Sequence, residues 1–492
     1  MGWIQLKAVL PRSRGLTRKI LAGGFALLWA AAAPGITVTG SDWRVHFNLP
    51  DQNSSVVSGG EFAIRDALLA RINDLRAGHT GTLSTYTFSG NTESSGAAGP
   101  ILSAITRALN TGAVVRFIAD DSINITNNYN GTNSLSSLAA RVTNPLVLVQ
   151  ETNTSLIMHN KFALFDQGPG NRWVFTGSWN YTGGASTFQW NVAVALRNDA
   201  LYAAYASEAA EMLAGKFHGA PPKSRTHDKT SFSIAGSWSN ALARFSPPPQ
   251  SFAGGDHPLT DIQSAISNAQ TEILFALNQI TLQPAAQAIV DAANRGVLIH
   301  GVIPLSDAAP GESSSAIYSF LTNASNYSTT NRVNFITPYS KADSSATDTG
   351  QSDLVHAKYM VIDPWGDRPV TIMGSPNWTQ QALTSTNGND ENILFIRHRD
   401  ISRMFYAHFR MMTGAFATHT NFWCSTEPAT GGPHVNLWLT DTNRYTLESA
   451  NAPGTNAVWS VWQTSITGRI GTITFTNLSA TTNQWFRSVR TP

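Results

Sequence analysis

The sequence predicts an α/β protein, with two tandem α/β domains of like construction followed by a small all-β module. Three observations predict it. The chain has 492 residues, room for about three domains at ~150 residues each. One pattern of strands and amphipathic helices runs twice through residues 43–416. Beyond residue 420, helical periodicity gives way to strand-like runs such as Val435–Leu439, Ala457–Thr464 and Gly471–Thr476, set between Asn, Thr and Gly turns. The expected organisation is a leader over 1–33, a first domain over 43–218, a connecting segment over 219–242, a second domain over 243–416 and the β module over 420–492.

The leader reads as a signal peptide. Five basic residues and no acid precede the apolar run Ile20–Trp29, and Ala30 to Ala33 supply a small-residue cleavage site, with cleavage expected after Ala32. The expected location is therefore secreted or periplasmic, in a bacterial envelope. A single cysteine, Cys424, excludes an intrachain disulfide and any cysteine-built metal cluster. No stretch beyond the leader is long and apolar enough to span a membrane.

Hydrophobic residues make up 42% of the chain and charged residues 13%, against about 25% charged in a typical domain. Ser, Thr, Asn and Gly replace the missing charge. The apolar fraction is ample for packed cores and argues against long-range disorder. The chain holds 33 basic and 31 acidic residues, and without the five bases of the leader 28 face 31. The body thus lacks the basic surplus of a general nucleic-acid binder.

The repeat is legible element by element. Each half opens on a short strand ended by proline, Val45–Pro50 and Ala243–Pro247. An amphipathic helix follows, with Ile64, Leu68 and Ile72 in the first half and a counterpart from Asp261 in the second. Next come strands over Leu83–Phe88 and Glu272–Leu277, helices over Pro100–Leu109 and Pro284–Ala293, and strands over Gly112–Phe117 and Gly296–Gly301. Glycine at the helix ends fits strand–helix–strand crossovers onto parallel neighbours. Helices near Asp199–Phe217 and Asp400–Gly414 close the two halves.

The chemistry rides on the repeat. His159, Lys161, Asp166, Gly177, Ser178 and Asn180 each recur 197 residues later, as His356, Lys358, Asp363, Gly374, Ser375 and Asn377. In an extended segment residues i and i+2 share a face. His159 and Lys161 therefore project together, as do His356 and Lys358, while Asn160 and Ala357 face away. A lysine beside a histidine suits a phosphate: the ammonium neutralises oxyanion charge and the imidazole attacks or protonates. The Gly-Ser-x-Asn turn adds hydroxyl and amide donors for non-bridging oxygens. Nothing in this set demands a metal or a cofactor. Asp166 and Asp363 complete the motif and count with the catalytic set, although anchoring a turn or backbone is an open alternative for both. The other histidines, His218 among them, read as structural.

This doubled motif resembles the signature of the phospholipase D superfamily, over about residues 43–416. The resemblance implies two halves packed with their motifs meeting at a pseudo-two-fold interface. It implies that one histidine attacks phosphorus to form a phosphohistidine while the other protonates the leaving group and then activates water. Lys161, Lys358, Asn180 and Asn377 would grip the phosphate together with Ser178 and Ser375, with His159 the nucleophile and His356 the acid and base. Two features depart from the family pattern. Ten residues separate Asp from Gly in both halves, a longer hairpin than usual. The carboxylate that orients a histidine after the turn is kept as Glu391 in the second half, and Asn191 stands in its place in the first. Which histidine each of these two faces is open from sequence.

The resemblance leaves several phosphodiesters as substrates. The expected one is a phospholipid, met at a membrane surface by transient contact and hydrolysed to phosphatidic acid and a free headgroup. A nucleic acid, DNA or RNA, is the alternative, since the two turns look like those of the family's small endonucleases; phosphatidyl transfer is a further one, and a non-catalytic binding protein on the same fold is the last. No obligate protein partner is implied.

Overall fold

The computed structural model describes residues 36–412 apart from 49, 51–61, 92–95, 154, 219–228, 250–255, 329–332 and 340–353; outside that range it describes strands alone, Ile4–Leu6 and six between 421 and 491. The signal-peptide reading falls, but for Ile4–Leu6, outside the described residues. Residues Ile36–Ala415 form one unit, and residues 1–35 with 416–492 a second. In the second, Ile4–Leu6, Gln484–Thr491, Arg444–Ala450 and Ser460–Thr467 pair as one sheet, and Asn421–Thr426, Pro433–Leu439 and Gly471–Phe475 as another.

The larger unit holds the repeat as two eight-stranded sheets. The first contains β1 (Ile36–Thr39), β2 (Trp43–Phe47), β3 (Thr80–Thr85), β4 (Val114–Ala119), β5 (Val147–Gln150), β6 (Phe162–Asp166), β7 (Arg172–Gly177) and, after the two-residue β8 (Gln189–Trp190), β9 (Val192–Arg197). Its order is β1-β2-β9-β7-β6-β3-β4-β5. The second contains β10 (Lys229–Phe232), β11 (Ala241–Ser246), β12 (Glu272–Leu277), β13 (Leu298–Pro304), β14 (Val333–Tyr339) and, after β15 (Leu354–Val355), β16 (Lys358–Ile362), β17 (Val370–Gly374) and β18 (Glu391–Ile396). Its order, β10-β11-β18-β17-β16-β12-β13-β14, repeats the first strand for strand. The β3/β4 and β12/β13 neighbours are parallel, as the crossovers require, while the motif strands β6 and β16 run antiparallel to both of their neighbours. Both sheets start earlier than the repeat suggests, because β1 and β10 add an edge strand to each.

Local chemistry explains the helices. Pro258 and Pro284 begin the helices Pro258–Ser267 and Gln283–Asn294, where a missing N–H costs nothing. Asn198 caps Asp199–Leu213 by accepting from the Leu201 N–H. The helices Ala63–Asn73 and Ala98–Asn110 in the first half, and Pro258–Ser267 and Gln283–Asn294 in the second, pack their apolar faces on one side of the sheet, giving two cores around Ile101, Phe117 and Phe165, and around Ile289, Phe275 and Met360. The closing helices Asp199–Leu213 and Arg399–Met412 join the halves. Tyr205 sets its ring edge-on to Phe162 of its own half and to Phe245 of the other, at 5.2 and 4.9 Å. Phe405 does the same with Tyr359 and Phe47, at 5.1 and 5.4 Å. Among the described residues no helix is long and apolar enough to cross a membrane.

Candidate active site

The two motifs meet where the halves join. His159 and His356 stand just ahead of β6 and β16, and Lys161 and Lys358 at the starts of those strands. The strands enter the interface side by side because the chain is stitched across it. β15 runs parallel to β8 of the other half, the His356 N–H donates to Trp190 O, and the Asp390 N–H donates to Ile157 O. Under the site, Asn392 Nδ2 donates to Asn160 Oδ1 at 2.7 Å, and Tyr205 and Thr176 hydroxyls donate to Asn392 Oδ1. Asn160 thus faces inward, away from His159 and Lys161, as the strand alternation requires.

Each histidine is anchored by the opposite half. His159 Nδ1 lies 2.7 Å from Glu391 Oε1 and His356 Nδ1 lies 2.9 Å from Asn191 Oδ1. Asn191 donates its Nδ2 to Ala185 O at 2.9 Å, so its oxygen faces the imidazole and His356 Nδ1 must carry the proton. With both Nδ1 atoms committed, both Nε2 atoms are left for a reacting group. The serines of the turns serve these anchors: Ser178 Oγ donates to Asn191 Oδ1 at 2.8 Å, and Ser375 Oγ donates to Glu391 Oε2 at 2.5 Å. The turn glycines are required by close approach, since a Cβ on Gly177 or Gly374 would stand 2.0 Å from Val192 O or 2.2 Å from Asn392 O.

The lysines are almost wholly buried, each 2% exposed. Lys161 Nζ donates to His159 O at 2.9 Å, and Lys358 Nζ to His356 O at 2.7 Å. Burial brings the Lys161 ammonium down to about 7, against an upward pull from Glu391 and Asp120. Burial and the neighbouring Lys161 charge depress Lys358 strongly. Burial, then the two lysines, hold both imidazoles well below the usual histidine range. Burial pushes the Glu391 carboxyl up to about 8, against the pull of Lys161. The site is thus largely buried and short of negative charge. An arriving phosphate monoanion restores the lysines to their charged form and compensates an imidazolium.

The sequence model of the family described as cardiolipin synthase, phospholipase D-like domain matches residues 69–213 and 262–413, more than half of the chain and both halves of the repeat. The chain belongs to the phospholipase D superfamily. No curated protein matches it. Among solved structures it is similar to phosphatidylserine synthase of Haemophilus influenzae (10% identity, TM-score 0.49, covering 79% of this chain and 89% of that one). Another is the polyphosphate kinase of Porphyromonas gingivalis (11%, TM-score 0.45, 76% and 50%), of which this chain spans half the length. A third is Nuc of Salmonella typhimurium (20%, TM-score 0.25, 35% and 93%). The superfamily comprises phosphodiesterases and transferases.

Against this phospholipase D arrangement, Ser178 and Ser375, expected at the phosphate, need correction, and for Asp166 and Asp363, counted with the catalytic set, the anchoring alternative holds. Asp166 and Asp363 are not at the site. Five residues along an extended strand is about 17 Å, and the odd spacing turns them to the other face, so they sit at the far ends of β6 and β16. Asp363 accepts from the backbone N–H groups of Gln270, Thr271 and Glu272, at 2.8, 2.7 and 3.0 Å, and from the Thr271 hydroxyl. Asp166 accepts from Gly168 N and Arg172 Nε. Both are anchors of backbone. Ser178 and Ser375 are fully buried with their hydroxyls committed to Asn191 and Glu391, so they are not free to bind phosphate. Asn180 and Asn377 are the partly exposed members of the two turns; the buried side-chain oxygen of each takes no hydrogen bond within the protein, and only the amide Nδ2 of each can donate to a phosphate oxygen.

Sequence reasoning missed two groups. Tyr86, just past β3, sets its ring edge-on to His159 at 5.0 Å and lies 5.4 Å from Lys161 Nζ. A lone tyrosine at the end of a strand gives no signal of this. The carboxylates of the adjacent Asp120 and Asp121 and of the more distant Glu151 come within 4.8 Å of one another. Met158 N–H donates to both Asp120 and Glu151, and Asp120 also accepts from Ser122 N.

Proposed function

We propose that this protein is an exported phosphodiesterase that hydrolyses phospholipids to phosphatidic acid and a free headgroup. The observation that carries the chemistry is the crossed anchoring of the two imidazoles, which leaves one Nε2 on each half to face a phosphodiester between them. His159 Nε2 attacks phosphorus, and the bond from phosphorus to the leaving oxygen breaks. His356 Nε2–H gives that oxygen its proton. His356 then takes a proton from water, the hydroxyl adds to phosphorus, and the nitrogen–phosphorus bond breaks. Lys161 and Lys358 keep ammonium protons for the non-bridging oxygens, and Asn180 and Asn377 supply amides beside them.

The charge of the body supports a lipid substrate. Its 28 basic and 31 acidic residues lack the surplus with which a protein collects polyanions, and the matched family is named for a lipid enzyme. The leader supports export. A nuclease is the second reading, favoured by the turns Gly177–Thr182 and Gly374–Thr379. Incubating the purified protein in chelator with mixed phospholipid vesicles and with plasmid DNA separates the two. Phosphatidic acid and free headgroup with intact plasmid are expected; nicked plasmid with unchanged lipid overturns the lipid reading.

A further inference from the structure

His218 follows the helix Asp199–Leu213 and holds the left-handed backbone conformation, φ 60°, which residues with side chains adopt at a cost and chiefly where surroundings enforce it. Its ring is 1% exposed and meets carboxylates on both sides. Nε2 is hydrogen-bonded to Glu151 Oε1, and Nδ1 lies 3.3 Å from Asp390 Oδ2. The His218 backbone N–H donates to Asp390 Oδ1 at 2.8 Å. The ring Nε2 and the backbone N–H of His218 thus bond one carboxylate each, with the ring Nδ1 set beside the second.

What the two carboxylates hold gives the cluster its meaning. Glu151 Oε2 accepts the Met158 N–H at 3.1 Å, with Asp120 Oδ2 sharing it at 2.9 Å. Met158 is the residue before His159. Asp390 is the residue before Glu391, and its N–H donates to Ile157 O at 3.1 Å. One buried residue therefore ties together the two backbone segments, one from each half, that carry the ends of the His159–Glu391 bond. At the pseudo-symmetric place of Met158 and Asp390, Val355 pairs with Trp190 in the β8/β15 ladder, and neither side chain can be charged.

We propose that His218 is a positioning residue for His159, acting through Glu151 and Asp390 to fix the distance and tautomer of the His159–Glu391 pair. The proposal rests on the reading of His159 as the attacking group. Its expected signature is loss of rate in forming the covalent intermediate, with little change in substrate binding, because His218 meets Glu151 and Asp390 and acts on the His159–Glu391 pair through them.

The test uses the full chain and bis(4-nitrophenyl) phosphate. His218→Gln is expected to lower kcat at least tenfold with KM changed less than threefold, and to slow acid-quenched phosphoenzyme formation in parallel. Glu391→Gln is measured alone and combined with His218→Gln. If His218 acts through the pair, the double variant is no slower than Glu391→Gln alone. Multiplying effects, or a loss confined to KM, overturn the proposal. Should His218→Gln fail to fold, Asp390→Asn removes the same charge contact, and the same coupling with Glu391→Gln decides. Phosphoenzyme formation that survives Glu391→Gln unchanged refutes instead the underlying reading of His159.

Discussion

Glu391, on the first residue of β18, holds Nδ1 of His159 at 2.7 Å across the junction of the two halves. Asn191 makes the corresponding bond to His356 in the opposite sense. Neither half can therefore orient its own histidine. The repeat is symmetric in backbone and unequal in chemistry, with a carboxyl group behind one imidazole and an amide behind the other. A carboxylate favours a positive charge building on the ring it contacts, as happens when nitrogen bonds to phosphorus, and an amide fixes orientation alone.

Glu391→Gln tests that inequality. The glutamine amide can turn a donor towards Nδ1, which forces the proton onto Nε2 and removes the attacking lone pair. The expected loss in kcat is about 10²–10⁴-fold, with little change in KM. Steady-state rates on a soluble phosphodiester check it, and a loss under threefold contradicts the role given to the pair.

Lys161 and Lys358 make anion binding depend on pH. Lys161 is brought to about 7 in the free protein, whereas an anion holds the charged ammonium. Binding therefore takes up a proton wherever the free lysine is neutral, and the contribution of Lys161 is full below about 7 and falls as pH rises above it. Sulfate keeps its own charge across this range, so its dissociation constant is expected to rise by about tenfold per pH unit between 7.5 and 9 for one linked proton. A flat profile by calorimetry counts against the buried-lysine site.

Asp363 and Asp166 separate stability from chemistry. Asp363→Ala leaves three buried or partly buried N–H groups without their acceptor and is expected to cost about 2–4 kcal/mol by denaturant titration. Asp166 faces a half-exposed Arg172, and its removal is expected to cost about 1 kcal/mol or less. Neither change should lower kcat of the folded protein by more than about threefold. A hundredfold loss in either would return the aspartates to the reaction.

Much of this was legible in the sequence, because the repeat reports the same physics twice. The offset of 197 residues between the motifs fixes paired HxK strands, and strand alternation correctly turns Asn160 away from Lys161. What failed depended on distance through space. Asp166 is near Lys161 in sequence and far from it along an extended strand. Ser178 and Ser375 look like phosphate donors until the partners Asn191 and Glu391 are seen beneath them. The β3 strand runs Thr80–Thr85 rather than Leu83–Phe88, because its register follows pairing with β4 and β6 and not its scarce apolar residues. That shift frees Tyr86 to leave the sheet beside His159. His218 carried no signal, since the carboxylates it joins lie 67 and 172 residues away.

The division of labour between the histidines is the remaining test. The attacking imidazole must be neutral, and burial beside two lysines keeps His159 so. The acid must bear a proton that the free site disfavours, since burial, Lys358 and Lys161 depress His356 as well. Its protonation then depends on the bound phosphodiester, whose charge offsets the lysines. His159→Asn should abolish the covalent intermediate with every substrate. His356→Asn should abolish turnover of a phospholipid, whose leaving alcohol needs a proton, yet spare part of the first step with a nitrophenyl ester, whose leaving phenolate does not. Because no base then activates water, the phosphoenzyme should accumulate, and acid quench with peptide mapping should find phosphate on His159. Phosphate on His356 in the His159→Asn variant, with none on His159 in the His356→Asn variant, reverses the assignment and means that the amide-held imidazole attacks.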